Sequence, residues 1–159
     1  LRVNKVEISA INVLTAALTS PDCQIEIFYL DAECIEHSGA SSLIIDTLSA
    51  NTTLTSLRVS GDAMDDASLN ALIHLIQTDR CGVKYLAFDL HAITPATAQQ
   101  FIQALQQPVC TLTRIFIDVN NAVAKAMQHA FDQSSITDLY TLRSSEFLGK
   151  RKIRLYKKK

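Results

Sequence analysis

Leu54-Thr55-Ser56-Leu57-Arg58-Val59, followed shortly by Leu69-Asn70-Ala71-Leu72-Ile73, is the stretch from which the rest of this chain can be read. The first segment sets apolar residues at Leu54, Leu57 and Val59, the last two spaced as on one face of a strand. In the second, Leu69, Leu72 and Ile73 fall at i, i+3 and i+4, one face of an α-helix. Both halves recur along the chain. The apolar triplet returns as Val3/Val6/Ile8, Ile25/Phe28/Leu30, Val83/Leu86/Phe88, Leu112/Ile115/Ile117 and, more weakly, Ile136/Leu139/Thr141. The starts at 3, 25, 54, 83, 112 and 136 are separated by 22, 29, 29, 29 and 24 residues. The helical triplet returns as Ala40/Leu43/Ile44, Ala98/Phe101/Ile102 and Met127/Ala130/Phe131. Each unit therefore reads as a strand, a turn and an amphipathic helix. One unit alone cannot bury both apolar faces, so neighbours must stack.

A 29-residue unit of this kind resembles the ribonuclease-inhibitor type of leucine-rich repeat. That class also includes the repeat domains of innate-immune receptors and of Ran GTPase-activating proteins. The resemblance covers roughly residues 1–143. It implies an α/β fold: a right-handed leucine-rich-repeat solenoid of about six repeats, with a curved parallel β-sheet on the concave side and α-helices on the convex side. The chain departs from the family at the ninth position of the unit, where an Asn usually bonds the turn backbone. Here that position reads Ile11, Glu33, Asp62, His91, Asn120 and Ser144, so only Asn120 fits, with Cys34 at the tenth position of its unit.

Two units break the period. The first contains Ser20-Pro21-Asp22, which is predicted to clip its helix (around Asn12 to Thr19) to about two turns. The chain opens on Leu1 in mid-pattern and reads as a piece of a longer one. We divide it into residues 1–149, the repeat domain, and residues 150–159, a basic C-terminal tail. A capping strand is the alternative for the tail, since Ile153, Leu155 and Tyr156 lie between its charges.

With 159 residues, 48% of them hydrophobic, the chain can bury one well-packed core. It has no run of ~18 apolar residues, so no membrane-spanning helix is expected. The formal net charge of −1 hides an asymmetry. Lys150, Arg151, Lys152, Arg154, Lys157, Lys158 and Lys159 crowd the last ten residues, leaving residues 1–149 with eight basic against sixteen acidic residues. The tail reads as a nuclear-import signal, as an anchor to nucleic acid or an anionic membrane through Lys150–Lys159, or as a solvated end.

Catalytic and metal chemistry find no foothold. Cys23, Cys81 and Cys110 each precede a unit by two residues, a repeated slot for a small buried side chain, while Cys34 lies on a turn. No Cys-x-x-Cys pair occurs, and free thiols fit a reducing, cytoplasmic setting. His37, His74, His91 and His129 occupy four different slots and cannot converge. Gly39, Gly61, Gly82 and Gly149 are isolated, so there is no phosphate-cradling loop. Asp62, Asp65 and Asp66 lack the further oxygen ligands of a calcium loop. Asn51-Thr52-Thr53 is a glycosylation sequon that matters only in a secreted protein. We therefore expect no catalytic residue, no metal, no cofactor and no small-molecule substrate.

Strand side chains alternate in direction, so residues between the core positions should line the concave face. That face is expected to present Ile27, Tyr29, Arg58, Tyr85, Arg114, Phe116 and Tyr140, edged by a broken carboxylate row of Asp31, Asp89 and Asp118. Aromatic and Arg residues dominate binding hot spots. The expectation is a non-enzymatic protein-interaction scaffold whose partner offers an apolar or Arg-rich segment. The Gln/Asn/Thr-rich helices and the lack of Trp fit a bacterial source, and by analogy an effector acting in a host cytosol. The alternatives are a GTPase-activating regulator like the Ran GTPase-activating proteins, placing Asn120 or an exposed Arg on a nucleotide, and a tail-driven anchor. Homo-oligomers through uncapped solenoid ends are a further option.

Overall fold

Phe28, Leu57, Leu86 and Ile115 follow one another at 29-residue intervals, and that interval is the register of the sheet. In a computed structural model of the chain, Phe28 lies opposite Leu57, Leu57 opposite Leu86, and Leu86 opposite Ile115. The structure describes residues 2–3, 8–31, 40–60, 66–78, 82–90, 93–147 and 150–158. Strands β1 (Arg2–Val3), β2 (Ile27–Asp31), β3 (Ser56–Ser60), β4 (Tyr85–Leu90) and β5 (Arg114–Val119) run parallel in chain order. Between them come helices α1 (Ile8–Thr19), α2 (Ala40–Thr47), α3 (Asp66–Ile76) and α4 (Pro95–Leu105), and α5 (Asn121–Asp132) follows β5. Alternate strand residues, from Phe28 and Leu30 to Ile115 and Ile117, are buried with Ile44, Ile45, Leu72, Phe101, Ile102 and Met127 of the helices in one cluster. The helices thus cover one face of the sheet. Phe88 meets Phe101 edge to face at 5.6 Å, tying strand layer to helix layer.

Local chemistry secures the junctions. Thr94 caps α4 by accepting from the Thr97 amide, with Pro95 in the first helical turn. Asn120 caps α5 by accepting from the Val123 amide at 2.9 Å. Ahead of the strands, hydroxyls bond the carbonyl of the unit before: Thr53 Oγ1 donates to Ile25 O at 3.1 Å and Thr111 Oγ1 to Val83 O at 2.7 Å.

The expected leucine-rich-repeat solenoid, with an all-parallel sheet of about six repeats, does not form. Beyond β5 the sheet turns antiparallel. β6 (Tyr140–Phe147) and β7 (Lys150–Lys157) make a hairpin, and β7 inserts between β5 and β6, so the order is β1-β2-β3-β4-β5-β7-β6. The result is a mixed seven-stranded sheet. The reason lies in side chains. Of the weak sixth triplet only Ile136 is buried, in a 3₁₀ turn over Ser135–Asp138, while Leu139 and Thr141 are exposed. β7 instead brings Ile153 and Leu155 into the core beside β5. The basic residues 150–157 are therefore a strand inside the sheet and not a free cationic tail. Lys157 Nζ donates to Cys110 O at 3.1 Å, and the Lys158 amide donates to Leu139 O.

The first unit also differs from its reading. Val3 pairs with Leu30, an offset of 27, and Ile8 opens a 12-residue helix instead of closing a strand. Ile11, Leu14 and Leu18 pack at helical spacing, and that period wins over the strand triplet. Cys23 and Cys110 are buried free thiols, as their shared slot suggested. Cys34, Cys81, His37, His91, Gly39, Gly61, Gly149, Glu33, Asp62 and Asp65 lie outside the described residues. Asn51, the sequon residue, is buried. Its amide donates to Leu18 O at 2.9 Å and its Oδ1 accepts from the Leu54 and Thr53 amides, so it has no freedom to carry a glycan in the folded chain.

Candidate functional site: the open face of the sheet

Among the described residues no helix covers the second face of the sheet, and its side chains stand in three rows set by strand register. The first row runs Ile27, Ser56, Tyr85, Arg114, Tyr156 and Thr141. The second runs Tyr29, Arg58, Ala87, Phe116, Arg154 and Arg143. The third holds Asp31, Ser60, Asp89, Asp118, Lys152 and Ser145. Rows lie two residues apart along each strand, about 7 Å.

The centre of the face is a chain of rings and guanidinium groups. Tyr85 and Phe116 are 5.4 Å apart between centroids, and Phe116 meets Tyr156 edge to face at 6.0 Å. Arg114 lies over the Tyr85 ring at 5.6 Å, Arg154 over Phe116 at 5.8 Å and Arg143 over Tyr156 at 5.8 Å. Each cation–π contact holds a long side chain across a ring and stiffens the surface. At the β2 end, Ile27 and Tyr29 remain 46% and 41% exposed, a large apolar area to leave in water. In the carboxylate row Lys152 Nζ sits 3.6 Å from Asp118, and both are part-exposed, so the pair contributes about 1 kcal/mol or less.

Nine of the ten residues expected on this face stand on it: Ile27, Tyr29, Asp31, Arg58, Tyr85, Asp89, Arg114, Phe116 and Asp118. Tyr140 does not. It is 1% exposed on the helix side, and its hydroxyl donates to Leu112 O at 2.7 Å with Cys110 Sγ at 3.7 Å. Burial, then the charge and hydrogen bond of Cys110, push its phenol pKa far above the ordinary tyrosine value. The cause of the misplacement is the hairpin: β6 does not continue the parallel register, so its phase on the sheet is reversed. The same hairpin supplies residues the sequence reading missed, Lys152, Arg154, Tyr156 and Arg143. Their signal was the alternation of Ile153 and Leu155 with polar neighbours, hidden under the density of charge. Asn120, considered for a nucleotide site, has its side-chain oxygen engaged in capping α5.

Among the described residues there is no group of three or more His, Cys, Asp or Glu that could hold a metal ion, and no helix long and apolar enough to cross a membrane. No protein-family model matches the chain. No curated protein matches it either. Among solved structures, the C-terminal domain of tropomodulin from Caenorhabditis elegans is similar over 77% of this chain and 76% of that one, with a TM-score of 0.58 and 14% identity. An rRNA methylase from Streptococcus thermophilus aligns over 95% of both chains with a TM-score of only 0.38 and 13% identity, too low to bear on fold or activity. What these comparisons establish is a likeness of fold to the tropomodulin domain.

Proposed function

We propose that this chain is a protein-interaction module, without chemistry of its own, that takes its partner on the open face of the sheet. The observation that carries the reading is the continuous row of Tyr85, Phe116 and Tyr156, interleaved with Arg114, Arg154 and Arg143 and continued by exposed Ile27 and Tyr29. Aromatic and Arg side chains held rigid on a flat scaffold lose little entropy on binding and are the residue types that dominate interface energetics. Strands ~4.8 Å apart make the face from β2 to β6 roughly 24 Å wide, the length of a helix of about 16 residues lying across the strands. Such a segment would set its apolar side on the rings. One flank would meet the Arg rows and the other the carboxylates of Asp31, Asp89 and Asp118, where an Arg-rich stretch fits.

The test is affinity capture from cell lysate with the chain as bait, read by mass spectrometry, comparing wild type with Tyr29→Ala/Phe116→Ala. Both side chains point away from the core, so the double variant should unfold near the wild-type midpoint yet lose its partner. Capture unchanged by the double variant would refute this use of the face.

A further inference from the structure

The second row of the open face is interrupted. Arg58 and Phe116 stand on either side of Ala87, whose methyl group is the shortest side chain in that row. The missing bulk leaves a pocket with Ala87 at its floor, walled by Arg58, Tyr85, Phe116 and Arg154 and, along its far side, by Asp89, Asp118 and Lys152. Arg154 lies over the Phe116 ring, and its Nε is buried without a hydrogen-bond partner in the protein. A buried guanidinium N–H left unpaired is costly, so an acceptor supplied from outside recovers that cost on binding.

We propose that the pocket over Ala87 is the anchor for a carboxylate side chain of the bound segment, so that the partner is selected by an acidic residue set among apolar ones. This rests on the protein-interaction reading above and names its specificity. The edge of a guanidinium presents Nε and one terminal nitrogen as a fork that fits a carboxylate in two parallel hydrogen bonds. Arg58, exposed on the opposite wall, adds a second cation. At the wall formed by Arg58 and Arg154 a basic side chain would meet like charge. An apolar one would leave Nε of Arg154 unpaired, and a neutral amide would accept from it without the strength that charge adds. The third row separates a carboxylate side chain from a polyanion. Asp89 and Asp118 line the far side of the pocket, Asp118 with Lys152 Nζ 3.6 Å away. A nucleic acid strand laid along the face would carry phosphate after phosphate past them, while one acidic side chain needs only the guanidinium side of the pocket, formed by Arg58 and Arg154.

The probe is a displayed library of random peptides ~16 residues long, matched to the width of the face, selected on the intact chain and sequenced. The best enriched peptide is then titrated by fluorescence anisotropy, alongside the same peptide with its acids replaced by amides. Enrichment of Asp or Glu beside apolar residues is expected. Amide replacement, Arg154→Gln, Arg58→Gln and Ala87→Leu should each weaken binding roughly tenfold. Arg58 is exposed and makes its substitution safe for the fold, and thermal unfolding checks the other two. Peptides enriched without acids, or an affinity unmoved by amide replacement while Tyr29→Ala/Phe116→Ala still abolishes it, would overturn the carboxylate anchor and leave the interaction reading standing. No enrichment, or binding indifferent to Tyr29→Ala/Phe116→Ala, would overturn both. A labelled oligothymidylate that binds more tightly than any peptide, and is lost with Arg154→Gln, would replace the protein partner by single-stranded nucleic acid.

Discussion

Tyr140→Phe separates the two places this residue could occupy. On a binding face, losing the hydroxyl would change capture and leave stability alone. In the structure the ring is 1% exposed and the hydroxyl donates to Leu112 O at 2.7 Å. Phe fills the same volume, so no cavity forms and the loss is the hydrogen bond together with a carbonyl deprived of its donor in a dry site. Such a deletion costs about 1–2 kcal/mol. The bond is also one of a series, since Thr53 and Thr111 serve Ile25 and Val83 in the same way, so the site is built to have a donor there. For a chain of this length each kcal/mol lowers the midpoint by roughly 2–4 °C, giving a fall of about 2–8 °C. Calorimetry or circular dichroism would read it, with peptide affinity unchanged. A midpoint equal to wild type, or an unchanged fold with lost binding, would refute the burial of Tyr140.

The same phenol predicts the alkaline limit. Its pKa is raised in the folded chain by burial and by Cys110, so its contribution is complete below the unfolded tyrosine pKa of about 10 and is lost as pH rises beyond it. Following tyrosinate absorbance, one of the four tyrosines should ionise only as the chain unfolds, and Tyr140→Phe should flatten the alkaline slope; all four ionising in the folded state would contradict this. Asn51→Ala strands the Leu18 carbonyl and the Leu54 amide and should cost about 2–3 kcal/mol by urea unfolding, against near zero if the side chain were a free sequon. Ending the chain at Gly149 removes Ile153 and Leu155 from the core, worth roughly 1.5–3 kcal/mol each in burial alone. Cooperative thermal unfolding should vanish, whereas a solvated tail could be cut without effect.

What the sequence determined was the repeating part. A 29-residue interval between apolar triplets fixes which residues pair across β2 to β5, and strand alternation then sorts Phe28 and Leu30 to the core from Ile27, Tyr29 and Asp31 on the open side. Nine face residues were legible because parity along a strand is a local property. The ends were not. At the N-terminus, the helical spacing of Ile11, Leu14 and Leu18 competes with a strand triplet that shares Ile8, and only packing chooses between them. At the C-terminus, whether residues 150–157 float or pair depends on what β5 needs beside it, a long-range demand that no window of sequence contains. β5 takes the strand that offers Ile153 and Leu155 over the one that begins at Tyr140. That choice turned the sheet antiparallel, buried Tyr140, and carried Lys152, Arg154 and Tyr156 onto the open face. The cationic side of the candidate site is thus a product of tertiary pairing, because strand order is decided by which apolar side chains the core can accept and not by their order in the chain.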